Sequence, residues 1–301
     1  MKKKKAKQKG ADFFHEWYQA HWGDRWSILR QALEEPVQHV LWWNPLCSLD
    51  KETIFAETLR PVESFPNCYH LPSELPEAVP VDEKGIEGYY LLDGGSVLAA
   101  IALDVQPGDQ VLDLCAAPGG KSLQLFSRLG TEGSLISNDL SRNRRGRLRR
   151  VLDGFIPEGA QGQVKLTGHD ATRWCLYEKE KYDRILLDAP CSSERHLLDD
   201  PKFLTSWSPA RSRQLAQRQY AMLVSALDVV RVGGRIVYST CSISPLECDG
   251  ILQKLLKKRK GRFEMIFLDF PYCERTDLGY YILPDKSNWG PIYFSVLERT
   301  S

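Results

Sequence analysis

The spacing of hydrophobic positions in the first hundred residues predicts helices followed by irregular chain. Residues 11–45 place apolar side chains at helical intervals. These side chains are Phe14, Trp17, Trp22, Trp26, Leu29 and Leu33. Residues 60–80 are rich in proline and predict an irregular connector, and residues 95–103 predict another helix. This part of the chain is expected to form a small helical N-terminal region.

From residue 110 the pattern changes to short apolar runs that alternate with helical segments. The apolar runs predict buried strands over residues 110–115, Ser134–Asn138, Val164–Thr167, Tyr182–Asp188 and 234–239. The segments between them predict helices over residues 121–129, 141–155, 209–230 and 245–258. Two further apolar segments, residues 263–267 and 292–297, are expected to add strands at the edge of the sheet. This alternation predicts a Rossmann-like, doubly wound α/β fold with a mostly parallel sheet, whose ligand binds at the carboxyl ends of the strands.

The change of pattern divides the 301 residues into three parts. Residues 1–10 are predicted to be a disordered basic tail, residues 11–105 the N-terminal region, and residues 106–301 the α/β domain. No apolar run approaches the ~20 residues that cross a bilayer, so no membrane-spanning segment is expected. The lysine-rich start is followed by polar and aromatic residues, so no export signal is expected either.

The cysteines and the charges change this picture in two ways. The chain has eight cysteines and no Cys-x-x-Cys pair. Thiols of a chain without an export signal are expected to stay reduced, so we expect neither disulfide bonds nor a metal site.

The net charge of +1 conceals basic clusters over residues 2–9, 142–150 and 254–262. Such clusters can bind nucleic acid even when the total charge is near zero.

Residues 111–121 have the features of a ligand-binding loop. Their sequence, Val-Leu-Asp-Leu-Cys-Ala-Ala-Pro-Gly-Gly-Lys, predicts a strand, a turn of small residues and the start of a helix. Gly119 and Gly120 would let the backbone approach a ligand closely, and the helix start offers free N–H groups. A phosphate-binding loop would need glycine in place of Cys115, and the Gly-x-Gly-x-x-Gly motif of dinucleotide-binding proteins is absent.

Three carboxylates follow successive predicted strands. Asp139 stands where an acidic side chain can bind ribose hydroxyls, and Asp170 could accept a hydrogen bond from an adenine amino group. Asp188 ends the fourth strand. Three such carboxylates beside a loop without a phosphate cradle indicate a nucleoside ligand, and S-adenosylmethionine fits that description.

Two cysteines are predicted to lie at the same edge of the sheet. Cys191 follows the fourth strand in Asp-Ala-Pro-Cys, and Cys241 follows the fifth in Ser-Thr-Cys-Ser. Carbon 5 of cytosine is a poor nucleophile, but adding a thiolate to C6 makes an enamine that can attack a methyl group. A free thiol has a pKa near 8.5, so a site that lowers this value helps. Asp188 can hold the N3/N4 edge of the base, and a second cysteine can assist release.

At these motifs the chain resembles the Sun-type (NSUN, or RsmB-like) family of RNA cytosine-C5 methyltransferases. The resemblance extends from about residue 89 to the end. The matching motifs are Tyr89-Tyr-Leu-Leu, Leu112-Asp-Leu-Cys-Ala-Ala-Pro-Gly-Gly-Lys-Ser, Asn138-Asp-Leu-Ser, Leu187-Asp-Ala-Pro-Cys-Ser, Val237-Tyr-Ser-Thr-Cys-Ser and Trp289-Gly-Pro-Ile-Tyr-Phe. The last motif and the compact layout are most similar to the short members known from mitochondria. The resemblance implies a class I S-adenosylmethionine-dependent methyltransferase.

The resemblance also implies a role for each site residue. Cys241 is implied as the nucleophile, Cys191 as the residue that assists release, and Asp188 as the residue that orients cytosine, paired with Lys121. The residues implied to bind the cofactor are Cys115, Ala116, Ala117, Pro118, Gly119, Gly120, Lys121, Asp139, Arg144, Asp170, Ala171 and Asp188.

RNA is the expected partner, and the basic segment is the expected contact. We predict that Arg147, Arg149 and Arg150 bind RNA, together with other arginines of residues 142–150 and aromatic side chains from the N-terminal region. Ribosomal RNA is favoured over transfer RNA, and a protein partner could contribute to targeting. The expected location is the cytoplasm, with the mitochondrial matrix as the alternative.

Two other functions are compatible with parts of the pattern. Methylation of an exocyclic amine usually involves an Asn/Asp-Pro-Pro-aromatic motif, where this chain has Asp-Ala-Pro-Cys, and it needs no thiol. A non-catalytic RNA-binding or ribosome-assembly factor with a relict cofactor site is the second alternative, although every expected chemical residue is present.

Overall fold

The N-terminal part of the protein combines helices with a small sheet. The computed structural model describes residues 9–55 and 58–301, and the elements of its first hundred residues are α1 (Ala11–Trp22), α2 (Arg25–Glu34), β1 (His39–Trp43), α3 (Lys51–Ile54), β2 (Cys68–His70), β3 (Tyr89–Asp93) and α4 (Gly94–Ala102). β1 pairs antiparallel with β2 and with β3. The helices predicted over residues 11–45 are therefore confirmed only as far as Glu34. The helix prediction is wrong for residues 39–43, which form β1. Four of these five residues are buried, and a short apolar run predicts a buried strand as readily as a buried helix.

The predicted disordered tail is mostly outside the described residues. Of the tail predicted over residues 1–10, residues 1–8 lie outside the described residues. Near the end of this range, the backbone amide of Gly10 donates a hydrogen bond to the carbonyl oxygen of Trp207, at 3.0 Å. The described chain therefore begins in contact with the α/β part of the protein.

A nine-stranded sheet forms the centre of the described chain. Its strands are β4 (Gln110–Asp113), β5 (Ser134–Asn138), β6 (Val164–Thr167), β7 (Tyr182–Asp188), β8 (Val230–Thr240), β9 (Phe263–Ile266), β10 (Glu274–Arg275), β11 (Tyr280–Ile282) and β12 (Ile292–Arg299). Their order is β10-β11-β12-β8-β7-β4-β5-β6, with β9 paired to β12. The five strands from β4 to β8 are parallel, which confirms the predicted Rossmann-like fold.

The C-terminal strand β12 lies inside the sheet, not at its edge as expected. It pairs antiparallel with β8 on one side and with β11 and β9 on the other. Seven of its eight residues are buried, which is typical of an interior strand. The edge position was wrong because an apolar run indicates burial but does not identify the strand's neighbours.

Helices cover both faces of the sheet. The helices of this part of the chain are α5 (Gly120–Phe126), α6 (Arg142–Phe155), α7 (Glu194–Asp199), α8 (Pro201–Ser206), α9 (Pro209–Val229), α10 (Asp249–Lys258) and α11 (Pro284–Ser287), of which α5, α6, α9 and α10 pack on the sheet. Along β7, Leu186 belongs to the core cluster that contains α4, α5 and α6, whereas its neighbours Ile185 and Leu187 belong to the cluster that contains α9 and α10. This alternation is what a strand buried on both faces requires. Within the described residues, no helix is both long and apolar enough to cross a membrane.

The N-terminal helices pack on the α/β part through aromatic side chains. Phe14, Tyr18 and Trp26 are buried in a cluster with Trp207 and with Ile243, which follows β8. These three aromatic rings are therefore not available to RNA, contrary to the expectation for aromatics of this region. Their spacing alone could not distinguish a face buried within the protein from a face that binds RNA.

Ion pairs also fix α2 against the rest of the protein. The Arg25 guanidinium pairs with Glu274 at 2.5 Å and with Asp285 at 2.7 Å. These two carboxylates belong to β10 and α11, so α2 is fixed against the C-terminal part of the chain. Both carboxylates also raise the pKa of Arg25, which therefore stays charged.

Candidate active site

The loop after β4 is held tightly between β5 and the N-terminal region. Ala116 donates its backbone N–H to the carbonyl of Asn138 at 2.8 Å, which joins the loop to the end of β5. Gly119 has φ +128°, a conformation that other residues rarely adopt. A side chain at Gly120 would collide with Leu92 and Tyr90 of β3. Gly120 therefore allows close packing of protein against protein, and not only the approach of a ligand.

Two cavities flank this loop, and Cys115 lines both. The first has a volume of about 270 Å³ and is lined by four of the residues predicted to bind the cofactor, Cys115, Asp139, Arg144 and Ala171. The second, of about 200 Å³, is lined by the predicted residues Cys115, Ala116, Ala117, Pro118, Gly120, Lys121 and Asp188. Most of the predicted cofactor residues are therefore brought together at the carboxyl edge of the sheet. Gly119 and Asp170 line neither cavity.

Asp139 presents an unused acceptor to the first cavity. Its Oδ1 accepts from the backbone N–H of Ser141 at 2.9 Å, and Arg144 lies 3.1 Å from its Oδ2. That Oδ2 is buried and finds no well-aligned hydrogen-bond donor among the residues that the structure describes. A buried acceptor without a donor is costly, so a ligand hydroxyl at this position would satisfy it. This geometry fits a ribose.

Asp170 is used differently from the expectation. Its carboxylate accepts from the backbone N–H of Thr172 at 3.0 Å and from the Thr172 hydroxyl at 2.9 Å. It thereby caps the 3₁₀ helix Ala171–Leu176. The adenine contact predicted for Asp170 stays a prediction, and Ala171 next to it does line the cavity.

Asp188 and Lys121 form an ion pair in the second cavity. The Lys121 Nζ lies 2.7 Å from Asp188 Oδ2 and 3.1 Å from the hydroxyl of Ser96, while Ser239 donates to Asp188 Oδ1 at 2.8 Å. Burial acts to lower the pKa of Lys121, but the Asp188 carboxylate raises it above its ordinary value. Lys121 therefore stays charged, and it holds Asp188 in one orientation.

The two predicted cysteines meet beside this ion pair. β7 and β8 are adjacent and parallel, with Asp188 opposite Ser239, so the turns that follow them are neighbours. The Sγ atoms of Cys191 and Cys241 are 2.6 Å apart, and both side chains are partly buried. The hydrogen bond with Cys241, together with burial, raises the pKa of Cys191 well above its ordinary value. Cys191 therefore holds its proton at neutral pH, next to the sulfur of Cys241.

Sequence reasoning missed several residues that line these cavities. Asp113, Ser96 and Asp93 line the second cavity, and Arg218 lines the first. Burial raises the pKa of Asp113 to about 7, and its Oδ1 has no hydrogen-bond partner within the described residues. An acidic residue inside the apolar strand β4 was the signal that could have identified it. Arg218 has no such signal, because one arginine in a long helix resembles any solvated residue.

The basic segment is divided between the site and the surface. Arg144 hydrogen-bonds to the carbonyl of Ala117, and Arg145 donates to the carbonyl of Asp139 at 2.7 Å. Arg147, Arg149 and Arg150, which were predicted to bind RNA, are exposed on α6. Among the described residues, no group of three or more histidine, cysteine or acidic side chains could hold a metal ion.

The fold and the site together define the class of protein. A doubly wound parallel sheet, a loop of small residues after its first strand and a free acidic acceptor after its second form a class I S-adenosylmethionine-dependent methyltransferase. Residues 100–298 match the family model described as 16S rRNA methyltransferase RsmB/F. The chain belongs to this family, which confirms the resemblance derived from the motifs. The residues present fit the family's cofactor, S-adenosylmethionine, because Asp139 Oδ2 and Asp113 Oδ1 are buried oxygens for which the described residues offer no well-aligned hydrogen-bond partner.

Individual relatives agree with this assignment. The chain is 37% identical over 236 residues to the 5-cytosine rRNA methyltransferase NSUN4 of Mus musculus, a match that covers 71% of this chain and 61% of that protein. It is 29% identical over 316 residues to the mitochondrial tRNA (cytosine(34)-C(5))-methyltransferase of Mus musculus, covering 96% of this chain and 89% of that protein. The chain thus spans about three fifths of the length of its rRNA-modifying relative.

A solved structure shows the same fold. The crystal structure of NSun6 from Pyrococcus horikoshii with SFG is 20% identical, with a TM-score of 0.76. The superposition covers 95% of this chain and 97% of that one. The fold therefore extends beyond the α/β domain to the N-terminal region.

Proposed function

We propose that this protein is an S-adenosylmethionine-dependent RNA methyltransferase that modifies carbon 5 of cytosine in ribosomal RNA. The observation on which the proposal rests is the contact between Cys191 and Cys241 beside the Lys121–Asp188 ion pair. Methylation of an exocyclic amine needs no thiol, whereas two adjoining thiols suit attack on a pyrimidine ring and its reversal.

The chemistry assigns a task to each side chain. The Cys241 thiolate adds to C6 of cytosine, and Asp188, oriented by Lys121 and Ser239, binds the N3/N4 edge of the base. Bound S-adenosylmethionine supplies the methyl group that C5 attacks. A base then removes the C5 proton, the C6–sulfur bond breaks, and the electron pair returns to Cys241. Cys191, which keeps its proton, donates a hydrogen bond to the departing sulfur.

The exposed arginines of α6 are the proposed RNA contact. Arg147, Arg149 and Arg150 lie on the helix whose first turn carries Arg144 into the cofactor cavity. Phosphates bound along this helix would place RNA beside the site, but they would give little sequence information. The choice of RNA would then depend on its shape or on a protein partner.

Transfer RNA is the second candidate substrate. One observation favours it, namely that the mitochondrial tRNA methyltransferase of Mus musculus matches 96% of this chain. The same relative favours the mitochondrial matrix as the alternative to a cytoplasmic location. The match to the rRNA-modifying relative covers a smaller share of this chain, 71%.

Methyl transfer to bare transcripts tests the proposal. Purified protein, labelled S-adenosylmethionine and transcripts of small-subunit ribosomal RNA or of transfer RNAs are incubated with and without cell extract, and nucleosides are identified by mass spectrometry. We expect 5-methylcytosine in ribosomal RNA. Site-specific methylation of transfer RNA alone would establish the second candidate. Tight RNA binding with no transfer to any RNA would instead support a non-catalytic factor.

A further inference from the structure

Two buried carboxylates lie directly beneath the cysteine-bearing loops. Glu194 and Glu247 both have no exposed surface, although neither is used by the proposed chemistry. Glu194 is at the start of α7, three residues after Cys191, and Glu247 is six residues after Cys241. Neither forms an ion pair with lysine, arginine or histidine in the described part of the chain. Buried carboxylates without a counter-charge are rare and need another explanation.

Each carboxylate binds the residue that follows a cysteine. Glu247 accepts from the backbone N–H of Ser192 at 3.0 Å, and its Oε1 lies 2.6 Å from the Ser192 hydroxyl. Glu194 Oε1 hydrogen-bonds to the same Ser192 hydroxyl and accepts from the Ser242 hydroxyl at 3.1 Å. Glu194 Oε2 accepts from the backbone N–H of Ile243 at 3.0 Å. The serine after Cys191 and the serine after Cys241 are thus joined, also by a direct contact of 3.0 Å between their hydroxyls.

We propose that Glu194 and Glu247 are positioning residues that hold the Cys191 loop against the Cys241 loop through Ser192 and Ser242. The inference rests on the proposed function, because the separation of the two sulfur atoms matters for catalysis only if both act on one cytosine. Neither carboxylate lines either of the two cavities, so both act through other residues.

The hydrogen bonds also determine where a proton must be. The Ser192 hydroxyl has one hydrogen but contacts an oxygen of Glu194 and an oxygen of Glu247. One of the two carboxyl groups must therefore donate to Ser192. Apart from the Ser192 hydroxyl, Glu194 accepts three hydrogen bonds, from the Tyr18 hydroxyl, the Ser242 hydroxyl and the Ile243 N–H. Glu247 accepts two, from the Ser192 N–H and the Gln219 side chain. The negative charge is better stabilised on Glu194, so Glu247 is the protonated partner.

The electrostatics of Glu247 agree with this arrangement. Burial and the charge of Glu194 raise the pKa of Glu247 to about 7. Tyr18, Tyr238 and Cys248 interact electrostatically with Glu247, and all three have their pKa raised well above the ordinary value, chiefly by burial. They are neutral at physiological pH and do not compete for the proton.

Two matched amide substitutions distinguish the carboxylates. In Glu247→Gln the amide nitrogen can donate to Ser192 as the protonated carboxyl does, and the amide oxygen can accept from Ser192 N–H and Gln219. In Glu194→Gln one of the two oxygens becomes a donor, although Tyr18, Ser242 and the Ile243 N–H all donate to the carboxylate of the wild type. Glu194→Gln should therefore separate the loops, and Glu247→Gln should not. Asp183→Asn is the control, because Asp183 is a buried carboxylate at the other end of β7.

The rate of disulfide formation between Cys191 and Cys241 measures their separation without RNA or methyl transfer. Diamide removes two electrons and two protons from the thiol pair of the folded, full-length protein, and peptide mass spectrometry follows the product. We expect Glu194→Gln to slow this rate by about tenfold, on the scale of one hydrogen bond. Glu247→Gln and Asp183→Asn should react at the wild-type rate, and melting temperatures of all variants verify folding.

The outcomes separate this inference from the proposed function. Equal rates in all variants would overturn the positioning role, and so would slowing in Glu247→Gln but not in Glu194→Gln. Slowing in every variant, in proportion to the loss of melting temperature, would also overturn it, because that result indicates a general loss of stability. If the rates differ as expected but no RNA is methylated, the positioning role stands and the proposed function fails.

Discussion

The sulfur atoms of Cys191 and Cys241 are 2.6 Å apart, although 50 residues separate them in the chain. The parallel pairing of β7 with β8 brings them together, since Asp188 lies opposite Ser239 and each cysteine follows within three residues. The hydrogen bond with Cys241 and burial raise the pKa of Cys191 well above its ordinary value, so Cys191 keeps its proton at neutral pH. Two thiols with different tasks suit a reversible addition to cytosine, in which one sulfur adds to C6 and the other assists its release.

The unequal tasks predict opposite results for two alanine variants. Cys241→Ala should abolish methyl transfer without forming any covalent product, because no thiolate can add to C6. Cys191→Ala should accumulate a protein–RNA adduct, because addition proceeds while release is slowed. A denaturing gel with labelled RNA measures both. Cys175→Ala, at a half-buried cysteine outside both cavities, is the control, and an adduct with Cys241→Ala instead of Cys191→Ala would reverse the roles.

The buried Oδ2 of Asp139, which has no well-aligned hydrogen-bond donor among the described residues, predicts a loss of cofactor affinity when it is removed. Asp139→Ala should weaken S-adenosylmethionine binding by about 1–3 kcal/mol, the usual cost of removing one partner of a buried hydrogen bond. Isothermal titration calorimetry measures it on the protein without RNA. Asp153→Ala, at an exposed position on α6, should bind the cofactor normally. An unchanged dissociation constant in Asp139→Ala would mean that Asp139 only holds Ser141 and Arg144.

The exposed arginines of α6 predict the salt dependence of RNA binding. Replacing Arg147, Arg149 and Arg150 with alanine should reduce the slope of log K against log salt by about one for each phosphate that the protein no longer neutralises. Cofactor affinity should not change. The matched control replaces Lys257, Lys258 and Lys260 with alanine, which removes the same charge from exposed positions at the end of α10 and beyond. Equal slopes in the two triple variants would show that only net charge matters.

The raised pKa of Glu247 predicts how stability varies with pH. The folded protein binds the Glu247 proton up to pH of about 7, whereas the unfolded chain releases it near 4.5. Because the folded state binds more protons in this window, wild-type stability should fall as pH rises from 4.5 to 7 and then level off. The difference between 4.5 and about 7 corresponds to roughly 3 kcal/mol. Denaturant unfolding of wild type and Glu247→Gln at several pH values measures it, since the variant lacks this contribution. Parallel curves for the two proteins would contradict it.

The α/β part of the fold was predictable because its segments are long or strongly apolar. Strands Ser134–Asn138, Val164–Thr167 and Tyr182–Asp188 were predicted with their observed bounds, and the helix expected over residues 141–155 begins one residue later. β1 was not predictable, because its identity depends on pairing with β2 and β3. The order of the C-terminal strands also depends on contacts that no local pattern contains.

The site was predictable where its residues follow strand ends. Lys121, Asp139, Asp188 and the two cysteines line the cavities or lie beside them, because the carboxyl ends of parallel strands meet at one edge. Glu194 and Glu247 were missed, since a glutamate in a sequence gives no sign that folding will bury it. Only the three-dimensional arrangement shows that their hydrogen bonds connect the two loops.

The hydroxyl of Tyr18 donates to Glu194 at 2.6 Å, so α1 completes a hydrogen-bond network that otherwise belongs to the α/β part. Tyr18 lies far outside residues 100–298, the range that the family model matches. A fragment cut to that range would lack this donor and would expose Leu197, Trp207 and Ile243 to water. We therefore expect the smallest stable unit to be larger than residues 100–298, and dissection of this protein should retain α1 and α2.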